Sequence, residues 1–205
     1  MHGWERMILI RNFSFRIVDT LKNYRIIKEE DQDIYQYGME LLISTLINLV
    51  LIITIGLIFG KLPQTILFLL EYCFVKRYAG GYHATTHARC ILTFSILYTV
   101  MLLGFHVFQV YRVNLSIFVT CMISILSVLI LAPVEDKNKP LEQEEIKLYS
   151  LRSKQILLFG VVFNILLYIW IGDKSSLLLF AMAAQIWVGA AVVAGSIKNK
   201  VSSLL

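Results

Sequence analysis

The feature that most constrains this chain is a series of six apolar blocks that carry almost no charge. An α-helix rises about 1.5 Å per residue, so roughly 20 apolar residues are enough to cross the hydrocarbon core of a bilayer. The blocks cover residues 39–59, 62–75, 91–110, 115–132, 156–171 and 177–194. The pattern predicts an all-α, polytopic integral membrane protein with about six transmembrane helices.

Composition excludes several other classes of protein. Of the 205 residues, 58% are hydrophobic and 16% are charged, which leaves too few charges to cover the surface of an ordinary cytosolic enzyme. The same values exclude a disordered or collagen-like chain. The net charge of +5 comes from 19 Lys and Arg against 14 Asp and Glu. In a membrane protein such an excess is typical of cytoplasmic loops, so we expect a lipid bilayer and no nucleic acid as partner.

The second apolar block differs from the others because it is short and contains Glu71. A charged side chain in the middle of a bilayer costs about 2.5–3.5 kcal/mol on insertion scales. We therefore expect Glu71 to face protein or water, and we expect this block to be short or re-entrant.

The first 38 residues combine recurring charges with an apolar stripe at helical spacing. Phe13, Ile17, Leu21 and Tyr24 lie three to four residues apart, which predicts an amphipathic helix. Such a helix either lies in the membrane interface with its basic face toward the headgroups or packs on the protein's own loops. We therefore divide the chain into an N-terminal cytoplasmic or interfacial segment, 1–38, and a single transmembrane domain, 39–197.

The distribution of basic residues predicts the orientation in the membrane. If the N-terminus is cytoplasmic and all six blocks span, 16 of the 19 Lys and Arg residues lie on the cytoplasmic side. This separation matches the positive-inside rule. We therefore expect a multi-pass protein of the cell membrane with both termini, the polar segment 76–90 and the loop 133–155 in the cytoplasm.

The polar segment 76–90 contains residue types that cysteine peptidases use. A cysteine nucleophile reacts as its thiolate, and an imidazole accepts and relays the proton. If the segment is one helix, His83, His87 and Cys90 lie within about 60° of one face. Cys90 also begins the third block, where the positive end of a helix dipole favours a thiolate. Gly80 and Gly81 have no side chain to block backbone N–H groups from a developing oxyanion.

Other functions remain compatible with the same residues. A Gly-Gly pair is often only a turn, and a cysteine in a membrane protein often only packs in the core. His83, His87 and Cys90 could instead supply three ligands to zinc, although the segment offers no Asp or Glu as a fourth ligand. A third alternative is a small transporter of a peptide or an ion, with Glu71 marking the pathway.

The segment resembles the signature of a known family. Its residues 77–84, Arg-Tyr-Ala-Gly-Gly-Tyr-His-Ala, followed by a cysteine seven residues after the histidine, are similar to the motif of the accessory gene regulator protein B (AgrB) family. These proteins are integral-membrane cysteine endopeptidases of bacterial peptide quorum sensing. The chain length, the basic N-terminal segment, the block pattern and the proline-containing loop after residue 132 are also similar to the family.

The resemblance implies roles for individual residues. His83 corresponds to the catalytic histidine and Cys90 to the nucleophile, while Arg77, Gly80 and Gly81 occupy supporting motif positions. His87 lies outside the motif, and no third catalytic residue is assigned.

The resemblance also implies a substrate and an activity that need no cofactor or metal. The substrate is a short amphipathic, AgrD-like propeptide, whose C-terminal tail is removed through a thioester on the cysteine. The product is a cyclic thiolactone or lactone signalling peptide, and the enzyme is expected to be a homodimer.

Overall fold

The computed structural model describes residues 2–82, 84, 86–107, 113–135, 141–172 and 176–204. Within these residues the regular structure is helical, apart from one isolated β-bridge, which confirms the predicted all-α class. The helices are α1 (His2–Asn23), a 3-10 turn (Glu29–Asp31), α2 (Gln32–Ile58), α3 (Leu62–Ala79), α4 (His87–Val107), α5 (Leu115–Leu131), α6 (Gln143–Ile171) and α7 (Ser176–Leu204).

Four stretches of the described chain are long and apolar enough to cross a membrane, as expected for a membrane protein. They are residues 29–58, 87–107, 143–171 and 176–202. The apolar helix α5 is shorter, at 17 residues. Helix α3 has 18 residues but carries Glu71, Lys76 and Arg77, which lower its apolar character.

The segment 133–155, which was predicted to be a loop, is helical from Gln143 onward, where α6 begins. Two side chains cap this helix start. Glu142 accepts from the backbone at the third helical position, and Glu145 accepts from the Glu142 N–H at 3.1 Å. Carboxylates in a first turn also favour a helix through its dipole. The charged residues that predicted a solvated loop therefore begin a helix that continues into the fifth apolar block.

The chain forms two compact units, Met1–Ile58 with Ala84–Leu103 (unit 1) and Phe59–His83 with Gly104–Leu205 (unit 2). In unit 1, α1 packs on α2. Ser14 and Val18 on α1 are fully buried, whereas the neighbouring Phe13 and Phe15 are 57% and 50% exposed. The predicted N-terminal helix therefore packs on α2 through a narrow face, while the aromatic side chains of Phe13 and Phe15 remain exposed.

Unit 2 is built around α7, which packs against α3, α5 and α6. Val188 and Val192 of α7 belong to a buried cluster with apolar side chains of these three helices. Gly189 lets α7 approach α5 closely, because a Cβ at this position would lie 2.5 Å from Cβ of Ser124. A small residue at such a contact is typical of helices that pack in a membrane.

Glu71 lies inside unit 2 and faces two amide side chains, as expected for a charge-bearing group in an apolar helix. Its Oε2 atom accepts hydrogen bonds from Asn164 on α6 and Gln185 on α7, both at 3.3 Å. Gly160 leaves room for this contact, since a Cβ there would lie 3.2 Å from the Gln185 amide nitrogen. Oε1 of Glu71 and Oδ1 of Asn164 are buried and have no hydrogen-bond partner among the described residues. We refer to Glu71, Asn164 and Gln185 as the amide cluster.

Candidate active site

The segment predicted to carry the chemistry is divided between the two units after residue 83. Residues 76–82 belong to unit 2 and residues 84–90 belong to unit 1, so each part is described by itself. His83, the predicted catalytic histidine, lies outside the described residues, as does Thr85.

In unit 2, α3 ends at Gly80, and the chain then forms a short parallel contact with Val134. The N–H of Gly80 donates to the Lys76 carbonyl at 3.0 Å and closes the helix. The N–H of Val134 donates to the Ala79 carbonyl at 2.9 Å, and the N–H of Gly81 donates to the Val134 carbonyl at 3.1 Å. These bonds hold the end of α3 against the chain that follows α5.

Both positions require glycine, because their backbone conformation is unusual and neighbouring carbonyls leave no room for a Cβ atom. Gly80 has φ of +65° and Gly81 has φ of +108°, values that residues with a side chain rarely adopt. A Cβ on Gly80 would collide with the Val134 carbonyl, and a Cβ on Gly81 would lie 2.6 Å from the Ala191 carbonyl oxygen. The Gly-Gly pair therefore lets the motif pass between the chain after α5 and helix α7.

The backbone N–H groups of this pair are already donated to protein carbonyls. Gly80 and Gly81 use theirs as described, and the next N–H, that of Tyr82, donates to the Ala191 carbonyl at 2.6 Å. The geometry therefore supports a packing role for the glycines, and it differs from the expected donation of their N–H groups to an oxyanion.

Basic side chains surround the same turn. Nζ of Lys76 donates to the carbonyls of Gly80 at 2.8 Å and Tyr82 at 3.2 Å. Nζ of Lys198 on α7 lies 5.3 Å from the centre of the Tyr82 ring, within the range of a cation–π contact. Arg77 is exposed, and its guanidinium lies 5.7 Å from the centre of the Tyr78 ring. The supporting residue Arg77 thus lies on the exposed side of the end of α3.

In unit 1, α4 begins with a capped turn that carries Cys90. Oγ1 of Thr86 accepts from the Arg89 N–H at 3.2 Å, and the Thr86 carbonyl accepts from the Cys90 N–H at 3.0 Å. Thr86 is therefore the N-cap, His87 is the first helical residue and Cys90 is the fourth. Cys90 is exposed and lies in the first turn of the helix.

The condition under which His83, His87 and Cys90 would share one face, a single helix through the segment, is not met. Residues 84 and 86 are not helical, and the helix begins at His87. The physical reason is local, because the Thr86 side chain satisfies an N–H group that a longer helix would bond internally. Among the described residues, His87 and Cys90 lie on the same helix, α4.

His87 contacts a carboxylate that the sequence did not single out. Its Nε2 atom lies 3.7 Å from Oε2 of Glu40 on α2, and its Nδ1 atom lies 3.2 Å from Oγ of Ser44. Oε1 of Glu40 accepts from the Gln36 amide at 2.7 Å. The His87 and Glu40 side chains are only 28% and 19% exposed. We refer to Gln36, Glu40, Ser44 and His87 as the imidazole cluster.

Sequence reasoning missed Glu40 and Ser44 because both lie more than 40 residues before Cys90. One signal was available, since Glu40 is an acidic residue just inside an apolar block. Like Glu71, it needs a polar partner in such a place. His87 lies outside the motif and was given no catalytic role, and the structure shows contacts on both of its ring nitrogens.

The other two cysteines have different surroundings from Cys90. Cys121 on α5 is buried, and its thiol donates to the Gln185 side-chain oxygen at 3.5 Å. Cys73 is exposed, but it lies in the second half of α3 and not at a helix start.

A metal site was the alternative interpretation of the histidines. Throughout residues 2–82, 84, 86–107, 113–135, 141–172 and 176–204, no group of three or more His, Cys, Asp or Glu is placed to hold a metal ion. His83, one of the three proposed ligands, lies outside these ranges.

Comparison with known proteins identifies relatives over most of the chain. The family model described as Accessory gene regulator B matches residues 14–192. An AgrB-like protein 2 of Clostridium perfringens (strain 13 / Type A) is 30% identical over 171 residues, which cover 78% of this chain and 79% of the relative. An AgrB-like protein of Clostridium perfringens strain SM101 is 30% identical over 175 residues, covering 80% and 81%. An AgrB-like protein of Listeria monocytogenes (serotype 4a, strain HCC23) is 26% identical and covers 84% of both chains. No solved structure matches the chain.

Proposed function

The chain belongs to the accessory gene regulator B family, and on that premise we propose that it is a membrane cysteine endopeptidase of peptide quorum sensing. Family membership supports a role in the accessory gene regulator system, and the long apolar helices support a location in the membrane. The observation that carries the peptidase proposal is the exposed Cys90 thiol in the first turn of α4.

The position of Cys90 suits a nucleophile. Unpaired N–H groups and the dipole make the start of a helix positive, which favours a thiolate over a thiol. The basic residue Arg89 lies in the same turn and adds its charge to the positive end of the helix dipole. Exposure gives a peptide carbonyl access to the sulfur, in contrast to the buried thiol of Cys121.

In the proposed first step, the Cys90 thiolate attacks the carbonyl carbon at the junction between the signal part of the propeptide and its tail. His83, by its match to the family motif, accepts the thiol proton and passes it to the leaving amine. The C–N bond breaks, the tail leaves as a free amine, and the signal part remains attached to Cys90 as a thioester.

In the proposed second step, a thiol within the bound peptide gives its proton to the His83 imidazole and attacks the thioester carbonyl. A new thioester forms within the peptide, the bond to Cys90 breaks, and the Cys90 thiolate is regenerated. A serine hydroxyl in the same place would give a lactone. The exchange conserves the thioester, so it needs no energy source, but water must be kept from the acyl-enzyme. A site at the edge of a bilayer suits that requirement.

The proposed substrate is a short propeptide with a basic amphipathic N-terminal part and a C-terminal tail. We propose that both termini and the segment 76–90 face the cytoplasm, since 16 of 19 Lys and Arg residues then lie on that side. We also propose that the enzyme acts as a homodimer, in line with the family.

The test is processing of a propeptide co-expressed with this chain in a host that lacks the system. The propeptide is taken from a neighbouring reading frame that encodes a short chain with an internal Cys or Ser. We expect Cys90→Ala to abolish cleavage, by at least about a thousandfold, because the nucleophile is lost.

The matched control is Cys73→Ala, which removes the other exposed thiol. We expect it to cleave at the rate of the unaltered chain. Cleavage that persists in Cys90→Ala would overturn the peptidase proposal. Persistence in His83→Ala would remove His83 as the proton acceptor.

A further inference from the structure

We propose that two hydroxyl groups, those of Thr86 and Ser44, position Cys90 for attack on the peptide by holding the first turn of α4 in place. The inference rests on the proposed function in one respect, namely that Cys90 is the nucleophile. Each hydroxyl acts through another group of the turn, so both are positioning residues.

The turn that carries Cys90 receives little support from a buried core. Its first two residues are half-buried, and Arg89 and Cys90 are exposed. Among the described residues of α4, the buried side chains are those of Tyr98 and Leu102, more than two helical turns further along. A helix end with few buried side chains frays unless its backbone groups are bonded locally. The position of Cys90 therefore depends on the hydrogen bonds of the turn itself.

Thr86 bonds the turn from the residue before the helix. Its Oγ1 accepts from the Arg89 N–H at 3.2 Å, and its carbonyl accepts from the Cys90 N–H at 3.0 Å. A capping side chain holds its own backbone in the conformation in which the first bond of the helix also forms. The Thr86 hydroxyl therefore determines where α4 begins and keeps Cys90 within the first turn.

Ser44 holds the same turn from α2. Its Oγ lies 3.2 Å from Nδ1 of His87, the first residue of α4. A hydroxyl can donate to a ring nitrogen or accept from it, so this contact does not depend on which nitrogen carries the hydrogen. Ser44 is only 6% exposed, and its Oγ lies 3.0 Å from the Leu41 carbonyl oxygen of its own helix. The buried hydroxyl therefore links the start of α4 to α2.

The position of the turn matters because Cys90 has to approach a carbonyl carbon closely. Reacting atoms must come within about 3–3.5 Å of each other, and a displacement of about 1 Å can cost about a hundredfold in rate. Fraying of the first turn moves the Cys90 backbone and the sulfur with it. We therefore expect loss of either hydroxyl to slow the chemical step without weakening propeptide binding.

The experiment measures tail release from a synthetic propeptide by the full-length protein in lipid nanodiscs. Thr86→Val keeps the shape of threonine and removes the oxygen that accepts from Arg89. We expect kcat to fall about fivefold with KM unchanged, as for the loss of one N-cap hydrogen bond. Thr86→Ser keeps the hydroxyl, so we expect it to retain most of the activity.

Ser44→Ala removes the second contact, and we expect kcat to fall about threefold, as for the loss of one hydrogen bond. The matched controls are Thr99→Val on α4 and Thr45→Val on α2. Their hydroxyls donate within their own helices, to the carbonyls of Ser95 at 2.8 Å and Leu41 at 2.7 Å. Both controls should leave kcat unchanged.

Hydrogen exchange examines the turn without propeptide. In Thr86→Val we expect the Cys90 N–H to exchange about fivefold faster, because the uncapped turn opens more often. The second half of α4 should exchange as in the unaltered chain. Faster exchange throughout the protein would show a general loss of stability and would overturn the positioning role.

The role of Thr86 is also overturned if Thr86→Val cleaves at the unaltered rate, or if Thr86→Ser is as slow as Thr86→Val. The role of Ser44 is overturned if Ser44→Ala cleaves as fast as Thr45→Val. Failure of the proposed function is distinguishable, because it appears as cleavage that persists in Cys90→Ala, whereas the exchange measurement needs neither the propeptide nor the thiol.

Discussion

Glu40 and Glu71 are both glutamates on helices rich in apolar residues, but the groups around them differ in kind. Glu40, in the imidazole cluster, faces a histidine ring and a glutamine amide. Glu71, in the amide cluster, accepts hydrogen bonds from the amides of Asn164 and Gln185. A histidine can carry a charge that opposes a carboxylate, whereas an amide offers only a hydrogen bond.

This difference predicts that the two carboxylates respond differently to the loss of their charge. A glutamine keeps the shape and the hydrogen-bonding capacity of a glutamate but not its charge. The same substitution should therefore affect catalysis at Glu40 and change little at Glu71, and a leucine at Glu71 should affect stability.

The largest effect is expected for Glu71→Leu. Leucine cannot accept from Asn164 and Gln185, so both buried amides lose their partner, and each unpaired buried group costs about 1–3 kcal/mol. We expect the protein to lose about 2 kcal/mol of stability after the gain from burying leucine. The thermal unfolding midpoint in nanodiscs should fall by several degrees, with Leu158→Ala, an exposed position of α6, as the control. An unchanged midpoint would show that the amide cluster does not stabilise unit 2.

A smaller effect is expected for Glu40→Gln, and it should appear in catalysis. Without the carboxylate, the His87 ring loses its contact with Glu40 and is held less firmly in the turn that carries Cys90. We expect propeptide cleavage to slow about threefold, as for the loss of a partly buried ion pair. Equal initial rates for this variant and the unaltered chain, at matched protein levels, would contradict the distinction between the two clusters.

The smallest effect is expected for Glu71→Gln. The new side-chain oxygen can accept as the carboxylate does, and the new amide can donate to Oδ1 of Asn164, which has no partner among the described residues. We expect the unfolding midpoint and the cleavage rate to stay within error of the unaltered chain, corresponding to less than about 0.5 kcal/mol. A loss as large as that of Glu71→Leu would mean that Glu71 acts through its charge.

The sequence predicted the helices better than their ends. Apolar blocks locate the middle of each helix, because burial and lipid contact depend on side-chain polarity. They miss the start of α6, where Glu142 and Glu145 cap a turn made of charged residues. They also miss the break before His87, where the local bonding of Thr86 decides the helix boundary.

The sequence predicted candidate residues near one another in the chain and missed those brought together by folding. His83 and Cys90 could be singled out because a motif contains both. Glu40 could not be linked to His87, since 47 positions separate them and nothing in their order indicates contact. The role expected for Gly80 and Gly81 depended on the direction of their N–H groups, which only a three-dimensional structure shows.

The separation of Glu71 from Gln185 has a consequence for how the protein is made. The two residues are 114 positions apart, so a ribosome adding about 5–20 residues per second supplies the amide of α7 roughly six to twenty-three seconds after the carboxyl of α3. During that interval the acidic group must be sheltered by the insertion machinery, by water or by a proton. Arrival of α7 ends this exposure, so the amide cluster is complete only once Gln185 has been made.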